Sequence, residues 1–300
     1  MIDWLIAIEG TSLSNRLAIL LALLAAMFHA FFGSLQKGKH DPWFSRGAID
    51  LTYGLIAIPF VLFIVPYPEP HMWLILFVAL IIHSIYKILQ ASAYSLGSYT
   101  VVYPIVRGST PLFTIIGAYF IFNEVFSTLQ LFGVFLLLSG IFGLAFYNLK
   151  LVVVNRNTLV AALSLAVLTG FFVALYTNYD TIGIRATYNP FTFIFWLFLL
   201  DSFLMPFIAY FRWYNANEKP NLDGLVKRGV IGGVISYFSF GSIMMATRLG
   251  EVGQVAVLRE TSTVFAVIIG VLFLNESMGL KRLVMILFIT LGAVCVGVRI

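Results

Sequence analysis

Charge is what this sequence lacks. Only 10% of its 300 residues are Asp, Glu, Lys or Arg, against about 25% in soluble domains. With 61% hydrophobic residues and a mean hydropathy of +0.99, a chain of this length cannot hide its apolar surface from water. A soluble globular domain is excluded. Cysteine is nearly absent too. Cys295 stands alone, so no internal disulfide forms and the redox compartment is not encoded. The net charge of +5 is spread over short clusters such as Lys37–Lys39, Lys227–Arg228 and Lys281–Arg282. These read as loop anchors beside a membrane rather than as a nucleic-acid surface.

Catalytic and motor signatures are missing as well. There is no G-x-x-x-x-G-K-[ST] loop, so no ATP motor is encoded in the chain and no ATPase subunit is evident. There is no H-E-x-x-H pair and no G-x-S-x-G elbow. The four histidines, His29, His40, His71 and His83, lack metal-ligand spacing. No cofactor and no enzymatic activity are expected. The opening "MIDWLIAIEGTSLSN" carries Asp3 and Glu9 and no basic n-region. It reads as a short interfacial segment rather than a signal peptide.

What is present is a succession of apolar runs. A helix crossing the hydrocarbon core needs about 20 mostly apolar residues. Ten such runs are expected, over 17–36, 45–65, 72–96, 99–122, 126–147, 158–178, 190–211, 227–247, 251–273 and 281–299. They are too long and too uniformly apolar for membrane strands, and helices satisfy their own backbone groups in lipid. "PYPEP" at 66–70 and "NANEKPNLDG" at 215–224 are the clearest interruptions. Loops 1–2, 5–6, 7–8 and 9–10, with their flanks, hold Lys37, Lys39, Arg46, Lys150, Arg156, Arg212, Lys219, Lys227, Arg228, Lys281 and Arg282. The opposite side holds Arg16, Arg185, Arg248 and Arg299. The positive-inside rule then places the first side in the cytoplasm and both termini outside.

The segment "SLGSYTVVYPIVRGSTPLFTIIGAYFIFNEVFS" at 95–127 repeats as "RLGEVGQVAVLRETSTVFAVIIGVLFLNESMG" at 248–279. Leu-Gly, Arg107 with Arg259, Ser109 with Thr261, Phe113 with Phe265, and Asn-Glu recur in order. Each copy continues into one more apolar run. Five spans per half is an odd number of crossings, so the second half enters the membrane upside down. Secondary transporters built this way place the substrate site near the midplane. The expected fold is an all-α polytopic membrane protein with ten transmembrane helices as two inverted five-helix repeats, 1–150 and 151–300.

These two segments carry a resemblance. Nearly the whole chain resembles the drug/metabolite transporter superfamily in its ten-helix EamA-type branch, most specifically at "SLGSYTVVYPIVRGSTPLF" with "FNE" at 122–124, and at "LGEVGQVAVLRETSTVF" with "LNE" at 274–276. The second copy departs from the first in having Thr263 where the first has Pro111, and no proline matching Pro104. The resemblance implies two inverted bundles, alternating access and a small polar metabolite as cargo. It does not imply which metabolite.

Charges inside the spans are the candidate site. Arg at a helix centre costs about 2.5–3.5 kcal/mol on insertion scales, so it faces a bundle interior or a wet cavity. Tyr103, Arg107, Thr110 and Thr114 share one helix face, with Pro104 and Pro111 loosening the backbone beside them. Arg107 is either a clamp for an anionic group or the structural partner of a carboxylate on another helix, and Arg259 occupies the matching place. His83, Lys87, Gln90 and Tyr94 fall on one face of the third span. His29, Gly33 and Gln36 do so on the first, whose counterpart, the sixth span, offers Thr169, Phe172 and Tyr176 with Asn178 and Asp180 close by. Of the few carboxylates, Glu260 and Asp201 are candidates for proton coupling or an ammonium contact, or for salt bridges to Arg107, Arg259 or Lys87. Glu124 and Glu276 are expected as structural caps or interface locks.

The expected function is secondary active transport of a small polar molecule with an acidic group, an amino acid or an aminophosphonate-like zwitterion, with proton coupling at Glu260 or Asp201 as one reading. The basic candidates outnumber the acidic ones, and Arg suits carboxylate and phosphonate by forked hydrogen bonding. A nucleotide-sugar or lipid-linked phosphate carrier, an intramembrane enzyme and a non-transporting receptor are the rival readings. The expected partners are a small-molecule substrate and the lipid bilayer, with no nucleic acid, and the expected location is a bacterial inner membrane. The lipid-facing sides give no clear dimer face.

Overall fold

The computed structural model describes residues 2–36, 41–97, 99–149, 156–216, 219–274 and 279–297. Glu276, and the loop charges Lys37, Lys39, Lys150 and Arg299, lie outside the described residues. Among the described residues every regular element is helical. The first half holds α1 (Ile2–Ile8), α2 (Ser12–Gln36), α3 (Pro42–Phe63), α4 (Met72–Leu96), α5 (Tyr99–Phe122) and α6 (Thr128–Leu149). The second holds α7 (Arg156–Ala186), α8 (Pro190–Asp201), α9 (Leu204–Tyr214), α10 (Leu222–Ser236), a π turn (Tyr237–Gly241), α11 (Ser242–Leu249), α12 (Val252–Arg259), α13 (Ser262–Leu274) and α14 (Leu280–Gly297). Nine stretches among the described residues are long and apolar enough to cross a membrane, and a shorter apolar helix, Leu283–Gly297, follows them. The chain is an integral, multi-pass membrane protein.

Local chemistry sets the helix starts. Asp41 caps α3 by accepting from the Trp43 amide, with Pro42 in the first turn. Asn189 and Pro190 do the same for α8, and Asn221 caps α10. Capping oxygens satisfy amides that have no partner inside the helix, and proline there loses nothing. At the other end of α5, Asn123 takes a left-handed φ of 56°, a conformation asparagine tolerates at a helix C-terminus.

The two halves interlock by a pseudo-twofold rule. The first helix of each half packs on the third and fourth spans of the other: α2 on α11, α12 and α13, and α7 on α4 and α5. The second spans face each other, α3 against α8 and α9, and the last helices, α6 and α14, pair. Exposed Leu20, Leu55, Phe120, Phe135 and Phe207 form the lipid-facing belt.

Two expected spans stand but carry breaks, and two other expectations need correction. The span expected over 190–211 is broken at Ser202–Phe203. Pro206 is the cause, since it has no N–H for the Ser202 carbonyl and fits only the first turn of a new helix. The span expected over 251–273 is broken at Glu260–Thr261. There Thr261 and Thr263 turn their hydroxyls back onto the carbonyls of Leu258 and Glu260, local bonds that compete with the helix. The sixth span does not stop at 178: α7 runs to Ala186 and keeps Asp180 within a helix. Finally, Arg46 is not a loop charge. It lies in the second turn of α3, buried, in an ion pair with Asp50.

Candidate functional site

The breaks place charged groups at mid-depth. Glu260, the first residue of the break between α12 and α13, is fully buried and has one guanidinium on each side. Arg107 Nε lies 2.9 Å from Glu260 Oε2 and Arg259 Nε 3.8 Å from Glu260 Oε1. Arg107 Nη2 also donates to Ser262 Oγ at 2.8 Å and to the Arg259 carbonyl at 3.4 Å. Arg259 Nη2 is buried with no hydrogen-bond partner among the described residues. Among the described residues, two guanidiniums against one carboxylate leave a positive charge uncancelled in the membrane interior.

A second cluster gathers at the α8–α9 break. Lys87 Nζ is held by four oxygens: Asp50 Oδ2 at 2.5 Å, Tyr53 Oη at 2.6 Å, Asp201 Oδ2 at 2.6 Å and the Asp201 carbonyl at 2.8 Å. Tyr53 donates to Asp201 Oδ2 at 3.0 Å. Arg46 Nε pairs with Asp50 Oδ1 at 2.8 Å. His83 Nε2 meets Asp180 Oδ2 at 2.9 Å, and its Nδ1 lies 3.8 Å from Asp201 Oδ2. The fixed cations Arg46 and Lys87 face three carboxylates, Asp50, Asp180 and Asp201, so with His83 neutral this cluster is one charge negative.

Two narrow voids lie beside these clusters, each with about 20 Å³ of room for water-sized guests. The first is walled by Arg46, Tyr53, His83, Tyr86 and Asp201 with Leu197, Phe198, Phe240 and Met244. The second is walled by Arg107, His29, Gln90, Tyr94, Tyr103 and Tyr176, with Phe32, Gly33, Val106, Val173 and Tyr86 again. Tyr86 therefore forms part of both walls. The Arg107 guanidinium sits 5.7 Å from the Tyr103 ring centre and that of Arg46 5.8 Å from the Tyr86 ring, within cation–π reach. His29 stacks near Tyr103 and approaches Ser239 Oγ, on the π turn, at 3.3 Å.

The candidates from the sequence fall into three groups. Arg107, Tyr103, Gln90, Tyr94, His29 and Tyr176 are brought together around the second void. His83 and Asp201 line the first, while Lys87 and Arg259 are buried behind the walls and line neither. Pro104 and Pro111 stay inside a continuous α5. Glu124 sits at the face that carries α1, with its two oxygens accepting from the amides of Val252 at 2.7 Å and Gly253 at 2.9 Å. Arg185 and Arg248 tie the same face by donating to the carbonyls of Thr247, Gly250, Ile184 and Thr187. Burial pushes the Glu124 carboxyl above the ordinary glutamate value, against the pull of the two amides and Arg185. Arg46, Asp50, Tyr53 and Tyr86 were not singled out from sequence. A signal exists for two of them: Arg46 and Asp50 are an i, i+4 pair of opposite charge in an otherwise apolar run.

A polytopic helical protein with inverted halves and buried ionic clusters beside voids at the half-to-half contact belongs to the class of membrane carriers. The EamA-like transporter family matches the chain twice, over residues 16–146 and 160–298, and the chain belongs to that family of membrane transporters of small molecules. No curated protein sequence matches it. A crystal structure of another protein shares the fold with a TM-score of 0.74 over 94% of this chain and 96% of that one, at 16% identity. That likeness is one of fold.

Proposed function

We propose that the chain carries a small zwitterion with an acidic group, of the amino-acid or aminophosphonate kind, by alternating access of its two halves, 1–150 and 151–300. The observation that carries this reading is the uncancelled charge at Arg107, Glu260 and Arg259. An anion reaching Arg107 when the tyrosine-lined void widens supplies the missing negative charge, and Arg107 presents it with forked donors. The neighbouring void borders the cluster with the opposite deficit, so the cationic end of a zwitterion faces His83 and Asp201 across Tyr86. The Arg107–Glu260 pair joins α5 of one half to the α12–α13 break of the other. Cargo that displaces Glu260 therefore loosens a contact between the halves. The closure at Glu124, Arg185 and Arg248 serves as the shut gate in this conformation.

The test is a thermal-shift screen of the purified protein with glycine, alanine, glutamate, aminoethylphosphonate and a nucleotide sugar, followed by flux of the best ligand into proteoliposomes. Binding raises apparent stability by mass action. We expect a zwitterion to give the largest shift, and Arg107→Gln to abolish both shift and saturable flux while the protein remains folded. A full response in Arg107→Gln rejects the anion clamp. Conversion of the solute, read by mass spectrometry, would indicate an enzyme instead.

A further inference from the structure

The negative cluster that would face the cationic end of a zwitterion has a second feature. His83 stands between two carboxylates on two different helices, Asp180 on α7 and Asp201 at the end of α8. Only an imidazolium carries N–H on both ring nitrogens, and only that form directs a donor at each of these groups. Asp180 Oδ1 and Asp201 Oδ1 are both buried with no hydrogen-bond partner among the described residues. Unpaired buried acceptors are costly, and they mark where a proton or a water is wanted. His83 and Asp201 also line the first void, which admits water-sized guests.

We infer that His83, Asp180 and Asp201 form a proton-binding site in the membrane core, separate from the Arg107–Glu260–Arg259 group, and that its single proton exchanges with water through the first void. The charge balance supports this. Facing His83 are Tyr86 and Lys87 from its own helix, Arg46, Asp50 and Tyr53 from α3, Tyr176 and Asp180 from α7, and Asp201 from α8. With the tyrosines neutral, a second proton on the His83 ring makes the set neutral, and its loss leaves one negative charge in the membrane interior. A proton and the cationic end of a cargo satisfy the same deficit, which is the condition for exchanging one against the other. The inference deepens the transport reading, but its test needs no cargo.

The test is ring-nitrogen NMR of histidine-labelled protein in lipid nanodiscs between about pH 5 and about pH 9, a window that contains the range of about pH 5 to 8 in which a histidine switch operates. His83→Gln assigns the signal among the four histidines. We expect a His83 ring doubly protonated at the acid end that loses one proton in a single step as the pH rises. Asp180→Asn should displace that step by about one pH unit or more, the usual weight of an adjacent opposite charge. If Asp180→Asn does not fold, Asp201→Asn serves, and the wild-type step is itself decisive. A ring that keeps one protonation state throughout, or a step unmoved by either variant, overturns the site. A titrating His83 with no transported solute would leave the proton site standing and reject the carrier reading. A transported solute with a silent His83 would do the reverse.

Discussion

At the residue scale, the clearest lesson is the worth of rare charges in an apolar chain. Arg107, Arg259, His83, Lys87, Asp201 and Glu260 stood out in the sequence because each costs free energy in lipid, and the structure buries all six. What the sequence did not disclose is who faces whom. Lys87 shares a helix face with Gln90 and Tyr94, yet its ammonium turns to Asp50, Tyr53 and Asp201 rather than to a void. Removing one partner of a buried ion pair strands the others, at a cost of about 3–5 kcal/mol. Lys87→Met should therefore lower stability by about that amount, read by thermal or denaturant unfolding in detergent. A loss below about 1 kcal/mol would show that Asp50 and Asp201 find other cover.

At the element scale, helix existence was legible and helix continuity was not. Hydropathy averages over about 20 residues and cannot see a two-residue break. The breaks follow local chemistry instead: Pro206 downstream of Ser202, and the threonine hydroxyls around Glu260. Arg46 was misread for a related reason, since a charge one turn inside a span looks like loop when basic residues precede it. Close helix approach is equally local. A Cβ added at Gly292 on α14 would lie 2.5 Å from the Gly133 carbonyl oxygen and 2.6 Å from the Leu137 amide nitrogen on α6. Backbone cannot yield as a side chain does. Gly292→Ala should destabilise by about 1–3 kcal/mol, the usual cost of overpacking. Gly297→Ala, where an added Cβ meets no described atom, should be close to neutral. Equal melting temperatures for the two variants would contradict the tight α6–α14 contact.

At the scale of the whole molecule, Glu124 is a tie between the halves, since it follows α5 of the first and holds the start of α12 of the second. Glu124→Ala leaves two amides without their acceptor, worth about 1–3 kcal/mol if they stay buried. Glu124→Gln keeps an acceptor and removes the buried charge. Because burial raises this carboxyl's value in the folded protein, its favourable contribution is present at low pH and is lost as the pH rises through that value. The stability of Glu124→Gln relative to wild type should therefore increase with pH, as measured by thermal unfolding across a pH series. A constant difference would mean that the folded protein does not perturb the group. The repeat itself was legible from two arginines and two Asn-Glu pairs. The cross-pairing of each first helix with the opposite half was not, because lipid-facing and buried apolar residues look alike in composition.

The ammonium of Lys87 fills a nest of four oxygens of the sort that a dehydrated sodium ion would otherwise occupy. Being tethered by its own side chain, that cation can never travel with the cargo or be diluted away. If the chain is the carrier proposed above, replacing sodium with choline on both sides of the membrane should leave flux unchanged, and a sodium-dependent flux would place an alkali-metal site away from Lys87.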